Sequence, residues 1–106
     1  PILEKIVARF RQFVNAETLR RKAIITYDID EYDERFLRHL ALGYTKDMIA
    51  GLRTMPFSTK SLEKRQVDLV SRLFPDNDGR SINSTRLVVR AIELHIIDVD
   101  NLTPDD

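Results

Sequence analysis

The chain has 106 residues, with 17 basic and 17 acidic side chains that leave a formal net charge of zero, and it contains no cysteine. Such a length suits one small domain with a modest core, and the lack of cysteine excludes a disulfide framework, thiolate metal sites and cysteine catalysis. The apolar runs are only a few residues long, far short of the roughly 20 that span a bilayer, and no signal-peptide pattern opens the chain, so a soluble, cytoplasmic protein is expected.

The neutral total conceals an uneven distribution. Residues 1–27 carry six basic and two acidic groups, residues 28–58 four and six, residues 59–97 seven and five, and the stretch from Asp98 onward four acids. A basic first segment and a basic second half are compatible with nucleic acid, which the zero total alone would disfavour.

Residues 1–14 (PILEKIVARFRQFV) set Leu3, Ile6, Phe10 and Phe13 at helical spacing behind a proline tolerated at a helix start, which predicts an amphipathic helix. It would belong to a larger upstream domain or form a dimer contact. Residues 15–27 run from polar to basic and read as a partly helical linker, whose Arg20, Arg21 and Lys22 form either a solvated face or a contact to DNA phosphates.

A second helix is expected from Asp30 as N-cap, with Glu31, Asp33 and Glu34 in the first turn, where the macrodipole favours acids, and Phe36, Leu37, Leu40 and Ala41 as its buried face. Gly43 ends it. Thr45 then caps a short helix from Lys46 to about Arg53, with Met48, Ile49 and Leu52 pointing inward. Met55-Pro56-Phe57-Ser58 marks a turn, because proline removes a donor and disfavours helical geometry before it. Ser58 caps the following helix, in which Leu62, Leu69 and Leu73, widened by Val70 and Phe74, form an apolar stripe opposite Lys60, Lys64, Val67 and Ser71. The turn cluster Pro75-Asp76-Asn77-Asp78-Gly79 stops that helix near Phe74. Asn83 or Ser84 caps a last helix, with Leu87, Val88, Ala91, Ile92 and residues 94–97 mostly apolar, and from Asp98 the chain is expected to fray.

The fold class is therefore all-α: a compact four-helix helix-turn-helix domain over residues 28–98, preceded by an N-terminal amphipathic helix and linker (1–27) and followed by an acidic tail (99–106). A short helix, a tight turn and a helix with an apolar back and a cationic, mixed front make a unit that can enter a DNA major groove, although the same periodicity also describes an ordinary surface helix.

Over residues 29–97 the chain resembles the LuxR-type (GerE-like) helix-turn-helix found at the C-terminus of many bacterial response regulators. Ile29-Asp30, Phe36-Leu37, Leu40-Ala41 and Gly43-Tyr44-Thr45 look like its opening helix and hydroxyl-capped turn. Lys46-Asp47-Met48-Ile49-Ala50 is similar to its "NKEIA" helix. Ser61-Leu62-Glu63-Lys64-Arg65, with Leu69, Arg72 and Leu73, is similar to its "TVxxH…I…KL" recognition helix. Asn83, Thr85, Leu87, Ala91 and Ile96-Ile97 resemble its closing "N-x-T-x-L…A…LI" helix. Between Ala50 and Ser61 this chain carries two residues more than that pattern, Arg65 stands where a histidine is common, and Glu63 stands where a base is frequent. These departures bear on sequence preference. The first helix at Pro1 is also similar to the end of a receiver domain, whose phosphoacceptor would then lie upstream.

The resemblance implies sequence-specific binding of double-stranded DNA by a bacterial transcriptional regulator, the output domain of a two-component system. Lys60, Glu63, Lys64 and Val67 would face base edges, and Thr45, Lys46, Ser58, Thr59, Ser61 and Arg65 would bond phosphates. Arg65 has a second reading, with its stem beside the leucine stripe and its head paired with an acid. Val88, Ala91, Leu94 and His95 would supply a homodimer contact, so that two half-sites are read by two-fold symmetry. RNA polymerase is a further candidate partner. The rival class is an all-α protein-interaction module without DNA binding.

No enzyme is expected. His39 and His95 are too few and too far apart for a metal site, three scattered glycines make no phosphate loop, and the acids from Asp28 to Glu34 lack the spacing and glycine of a calcium loop. No cofactor, small-molecule ligand or membrane partner is implied.

Overall fold

The computed structural model describes residues 2–77 and 81–105, without the side chains of residues 8–14. The chain folds as α1 (Ile2–Thr26), α2 (Glu31–Ala41), α3 (Lys46–Ala50), α4 (Thr59–Leu73), α5 (Ser84–Glu93) and a short 3-10 helix, α6 (Val99–Asn101), with no strand among the described residues. The Phe10 and Phe13 parts of the first stripe, and Pro1, Asp78 and Gly79, lie outside that description.

The starts of α2, α3, α4 and α5 each follow from a side chain that accepts an otherwise orphaned N–H. Asp30 Oδ1 accepts from Asp33 N–H at 2.7 Å and Asp33 Oδ2 from Asp30 N–H at 3.2 Å, a reciprocal capping box. Thr45 caps α3 through Met48 N–H, Ser58 caps α4 through Ser61 N–H, and Asn83 caps α5 through Arg86 N–H.

Three helices end in the same way. At Gly43 (φ 91°), Asp28 (φ 54°) and His95 (φ 63°) the backbone turns left-handed. Tyr44 N–H then reaches His39 O, Ile29 N–H reaches Ile24 O and Ile96 N–H reaches Ala91 O, a Schellman closure each time. Only the first of these carries the expected glycine. Asp and His are among the few non-glycine residues that tolerate the conformation.

The core is built from Phe36 and Leu37 of α2, Ile49 of α3, Leu62, Leu69 and Leu73 of α4, Leu87 and Ala91 of α5, and Ile96 of the segment after it, all without exposure. Each fully buried large side chain contributes about 1.5–3 kcal/mol. Helix α2 packs mainly on α5, and α3 on α4. Arg90 of α5 donates from Nε to Leu73 O at 3.2 Å, satisfying a carbonyl at the end of α4. Met48, expected to point inward, is 52% exposed, because a helix of only five residues has room for one buried position, which Ile49 takes.

Two expectations at the ends of the chain are corrected. The supposed linker over residues 15–27 is helical to Thr26 in one 25-residue helix. Ala16, Glu17, Leu19, Arg20, Arg21, Lys22 and Ala23 are good helix formers with no Gly or Pro between them, and Glu17 pairs with Arg21 at 3.3 Å one turn on. Among the described side chains of α1, Ala23 joins the core and Ile24 lies against it, as does Tyr27 just after the helix. Ile2 and Leu3 are 76% exposed. At the other end the acidic tail is ordered as far as Asp105. After α6 it returns to α2, where the Asp105 carboxylate meets Arg38 at 3.2 Å and Arg35 at 3.5 Å.

Replacing Gly43 by alanine should cost about 1–2 kcal/mol, the penalty of the left-handed conformation for an L-residue. No atom lies within 4 Å of the added Cβ, so no steric term adds to it. Urea unfolding of the wild type and Gly43→Ala measures the difference.

Candidate nucleic-acid interface

Helix α4 is amphipathic in the expected sense. Leu62, Gln66, Leu69 and Leu73 are buried, and Lys60, Ser61, Glu63, Lys64, Val67, Asp68 and Ser71 are exposed. The four residues assigned to base edges (Lys60, Glu63, Lys64 and Val67) therefore share the free face, on which Val67 is 71% exposed. Lys60 and Lys64 make no ion pair among the described residues.

The residues assigned to phosphates divide. Thr45, Ser58 and Ser61 are exposed but occupied locally, Thr45 and Ser58 as caps and Ser61 through its hydroxyl, which lies 3.2 Å from Ser58 Oγ. Thr59 Oγ1 donates to Asp47 Oδ1 at 2.7 Å, tying the first turn of α4 to α3. Lys46 is half-buried at the start of α3, and with Glu63, Gln66, Val67, Val70 and Phe74 it lines a groove of about 610 Å³.

Arg65 takes the second of its two readings. Its Nη1 bonds Asp33 Oδ1 at 2.7 Å and Asp30 Oδ1 at 3.1 Å, its guanidinium lies over the Phe57 ring at 4.4 Å, and its side chain is 18% exposed. Arg72, one face-repeat further along α4, reaches Asp33 Oδ2 at 3.3 Å and Asp68 at 2.8 Å, and also donates to the carbonyls of Tyr27 and Asp28 at the end of α1. The Asp33 side chain, 2% exposed, thus holds two guanidinium groups from α4. Removing these donors from phosphate duty leaves Lys46, Lys60 and Lys64 against Asp47, Glu63 and Asp68 on the α3–α4 face, a mixed rather than a basic surface.

The Asp30 carboxyl feels opposed influences. Burial alone would raise its pKa, but the Asp33 N–H and the hydrogen bond and charge of Arg65 outweigh that and hold it below the ordinary 3.8. The acids at the start of α2 are thus explained by a helix N-terminus and two arginines, and among the described residues no group of three or more acids or histidines could hold a metal.

Of the residues assigned to a dimer contact, Ala91 is fully buried in the molecule's own core, Val88 and Leu94 lie half-buried against that core, and His95 is exposed at the left-handed closing position after α5. The exposed side of α5 carries Thr85, Arg86, Val89 and Glu93 instead, of which only Val89 is apolar. Leu87 and Ala91 of the apolar stripe are thus taken by the molecule's own core. Sequence reasoning also missed the set Arg35, Arg38, His39, Thr54 and Asp105. The i,i+4 pairs Glu31–Arg35 and Glu34–Arg38 are visible in sequence, but nothing local signals a carboxylate 67 residues further on.

Asp33→Asn should lower stability by about 2–3 kcal/mol, less than the 3–5 kcal/mol of a fully buried pair because both arginines keep partial contact with water. Chemical unfolding at neutral pH checks this. Because the Asp30 pKa is depressed on folding, its contribution is complete above pH 3.8 and is lost as the pH falls below that through its folded value. The stability gap between wild type and Asp30→Asn should therefore shrink between pH 5 and pH 2, as read by urea midpoints across that range.

The comparisons with known proteins correct the family reading. No LuxR-type or other helix-turn-helix family model matches, and with that the assignment to a two-component regulator loses its support. The residues that carried the resemblance are caps and apolar repeats, which any small bundle of short helices needs. No curated protein and no solved structure matches the chain. A family model matches residues 1–106, that of a family of unknown function, DUF5932, to which the chain belongs.

Proposed function

We propose that α3, the connection over residues 51–58 and α4 act as a helix-turn-helix that places α4 in the major groove of double-stranded DNA. The observation that carries this reading is the uncovered face of α4, where Lys60, Glu63, Lys64 and Val67 project beside the capped start of α3. Lysine can donate to guanine, glutamate can accept from cytosine and valine can meet a thymine methyl. Lys46 and the N-terminal amides of α4 would face phosphates. The buried Asp33–Arg65–Arg72 network supports the reading indirectly, since it fixes the rotation of α4 that keeps the lysines outward.

A second reading, docking of a protein partner on the same face, is favoured by one observation. The face balances its charges and includes an apolar side chain, Val67, that is 71% exposed, which is unusual for a phosphate-facing surface. No helix among the described residues is long and apolar enough to cross a membrane.

Selection from a random DNA pool, followed by titration of the selected and of random duplexes, separates the two. For DNA binding, log K falls with log salt through counterion release. Lys64→Ala should weaken the selected duplex by roughly 1–3 kcal/mol and relax one base position, whereas Lys46→Ala should weaken all duplexes alike. Equal loss on both duplexes for Lys64→Ala would remove its role in base readout, and the absence of salt-dependent duplex binding would leave the protein-partner reading.

A further inference from the structure

Residues 103–105 are held by α2 as a bound peptide is held. The Thr103 carbonyl accepts from Arg38 Nη1. The Asp105 N–H donates to His39 Nε2 at 2.8 Å. The Asp105 carboxylate accepts from Arg38 Nη1 at 3.2 Å and Nη2 at 3.4 Å and from Thr54 Oγ1 at 3.0 Å, with Arg35 Nε at 3.5 Å. Pro104 between them favours an extended Thr103.

The receiving side chains are themselves held in place. Arg38 is fastened by Glu34 Oε1 at 3.0 Å. His39 is fully buried, with Nδ1 2.7 Å from the Arg35 carbonyl and the Tyr44 ring edge-on at 5.1 Å. Nδ1–H donates to that carbonyl and Nε2 accepts the Asp105 N–H, so both ring nitrogens are satisfied in the occupied site. A free anion would fill the guanidinium groups but offers no N–H to Nε2. The arrangement therefore selects a peptide that presents a carbonyl, an N–H and a carboxylate in sequence.

We propose that Arg35, Arg38, His39 and Thr54 form a recognition site for an extended Pro-Asp peptide, occupied in cis by residues 103–105. Occupancy braces the connection between α3 and α4. Thr54 gives its hydroxyl to Asp105, while its carbonyl accepts from Arg35 Nη1 at 3.0 Å. Arg35 lies over the Tyr32 ring at 5.5 Å, and Tyr32 meets Phe57 edge-on at 5.3 Å. With the site filled by a tethered segment at high effective concentration, a peptide in trans competes poorly, and once the tether is weakened it gains access.

The test uses the full chain, labelled with ¹⁵N, as wild type, Asp105→Asn and Thr54→Val. In the wild type the amides of Asp105, which donates to His39, and of Met55, which donates to the Leu52 carbonyl, should be protected from hydrogen exchange. Both variants, folded by amide dispersion, should exchange about tenfold or more faster at these positions, with α4 and α5 unchanged. A synthetic peptide of residues 98–106 added to the Asp105→Asn chain should return the His39 and Thr54 signals toward their wild-type positions. The same peptide with asparagine at 105 should not. Three results would overturn the proposal: an unprotected residue 105 in the wild type, equal action of the two peptides, or the same return produced by sodium acetate alone, which would reduce the site to a simple anion pocket.

Discussion

One carboxylate organises the packing of this molecule. Asp33 stands at the third position of α2, where it completes the cap of its own helix and receives Arg65 and Arg72 from α4. At 2% exposure an unpaired carboxylate would be strongly disfavoured, so the two guanidinium groups are required in a way that an exposed pair would not be. Their spacing of seven places both on one face of α4 and sets the rotation of that helix about its axis. The leucines turn to the core and Lys60, Lys64 and Val67 to the outside as a consequence of the same constraint.

The same network decides how the charges of the chain are spent. Arginine is suited to phosphate by its fork of donors, but a fork already bonded to Asp33 and Asp30 and stacked on Phe57 is unavailable to an outside anion. Arg72 is spent on the end of α1 and Arg38 on residues 103–105. On the outer face of α4 the cations that remain for a partner are Lys60 and Lys64, both exposed. A duplex or a protein docking on α4 would meet a sparse, mixed surface, and its discrimination would rest on the order of Lys60, Glu63, Lys64 and Val67 more than on the overall field.

The ends of the chain show a different principle. Helix α1 runs for 25 residues, and of its described side chains those of the last turn reach the core, while good helix formers without Gly or Pro continue it away from that contact. The tail has little propensity of its own, yet it is ordered by a site that lies 66 residues away in sequence.

What the sequence determined by itself was local. The caps Asp30, Thr45, Ser58 and Asn83, the glycine at Gly43, the proline turn and the leucine stripe of α4 each depend on residues within one or two turns, and periodicity reports them directly. Tertiary structure decided which of two apolar or charged neighbours is used. Ala91 went to the core rather than to a dimer, Met48 to solvent, Arg65 to Asp33 rather than to phosphate, and Asp105 to Arg38 rather than to water. Those choices depend on distances between segments far apart in the chain. A helix period records which face a residue occupies but not what stands opposite it.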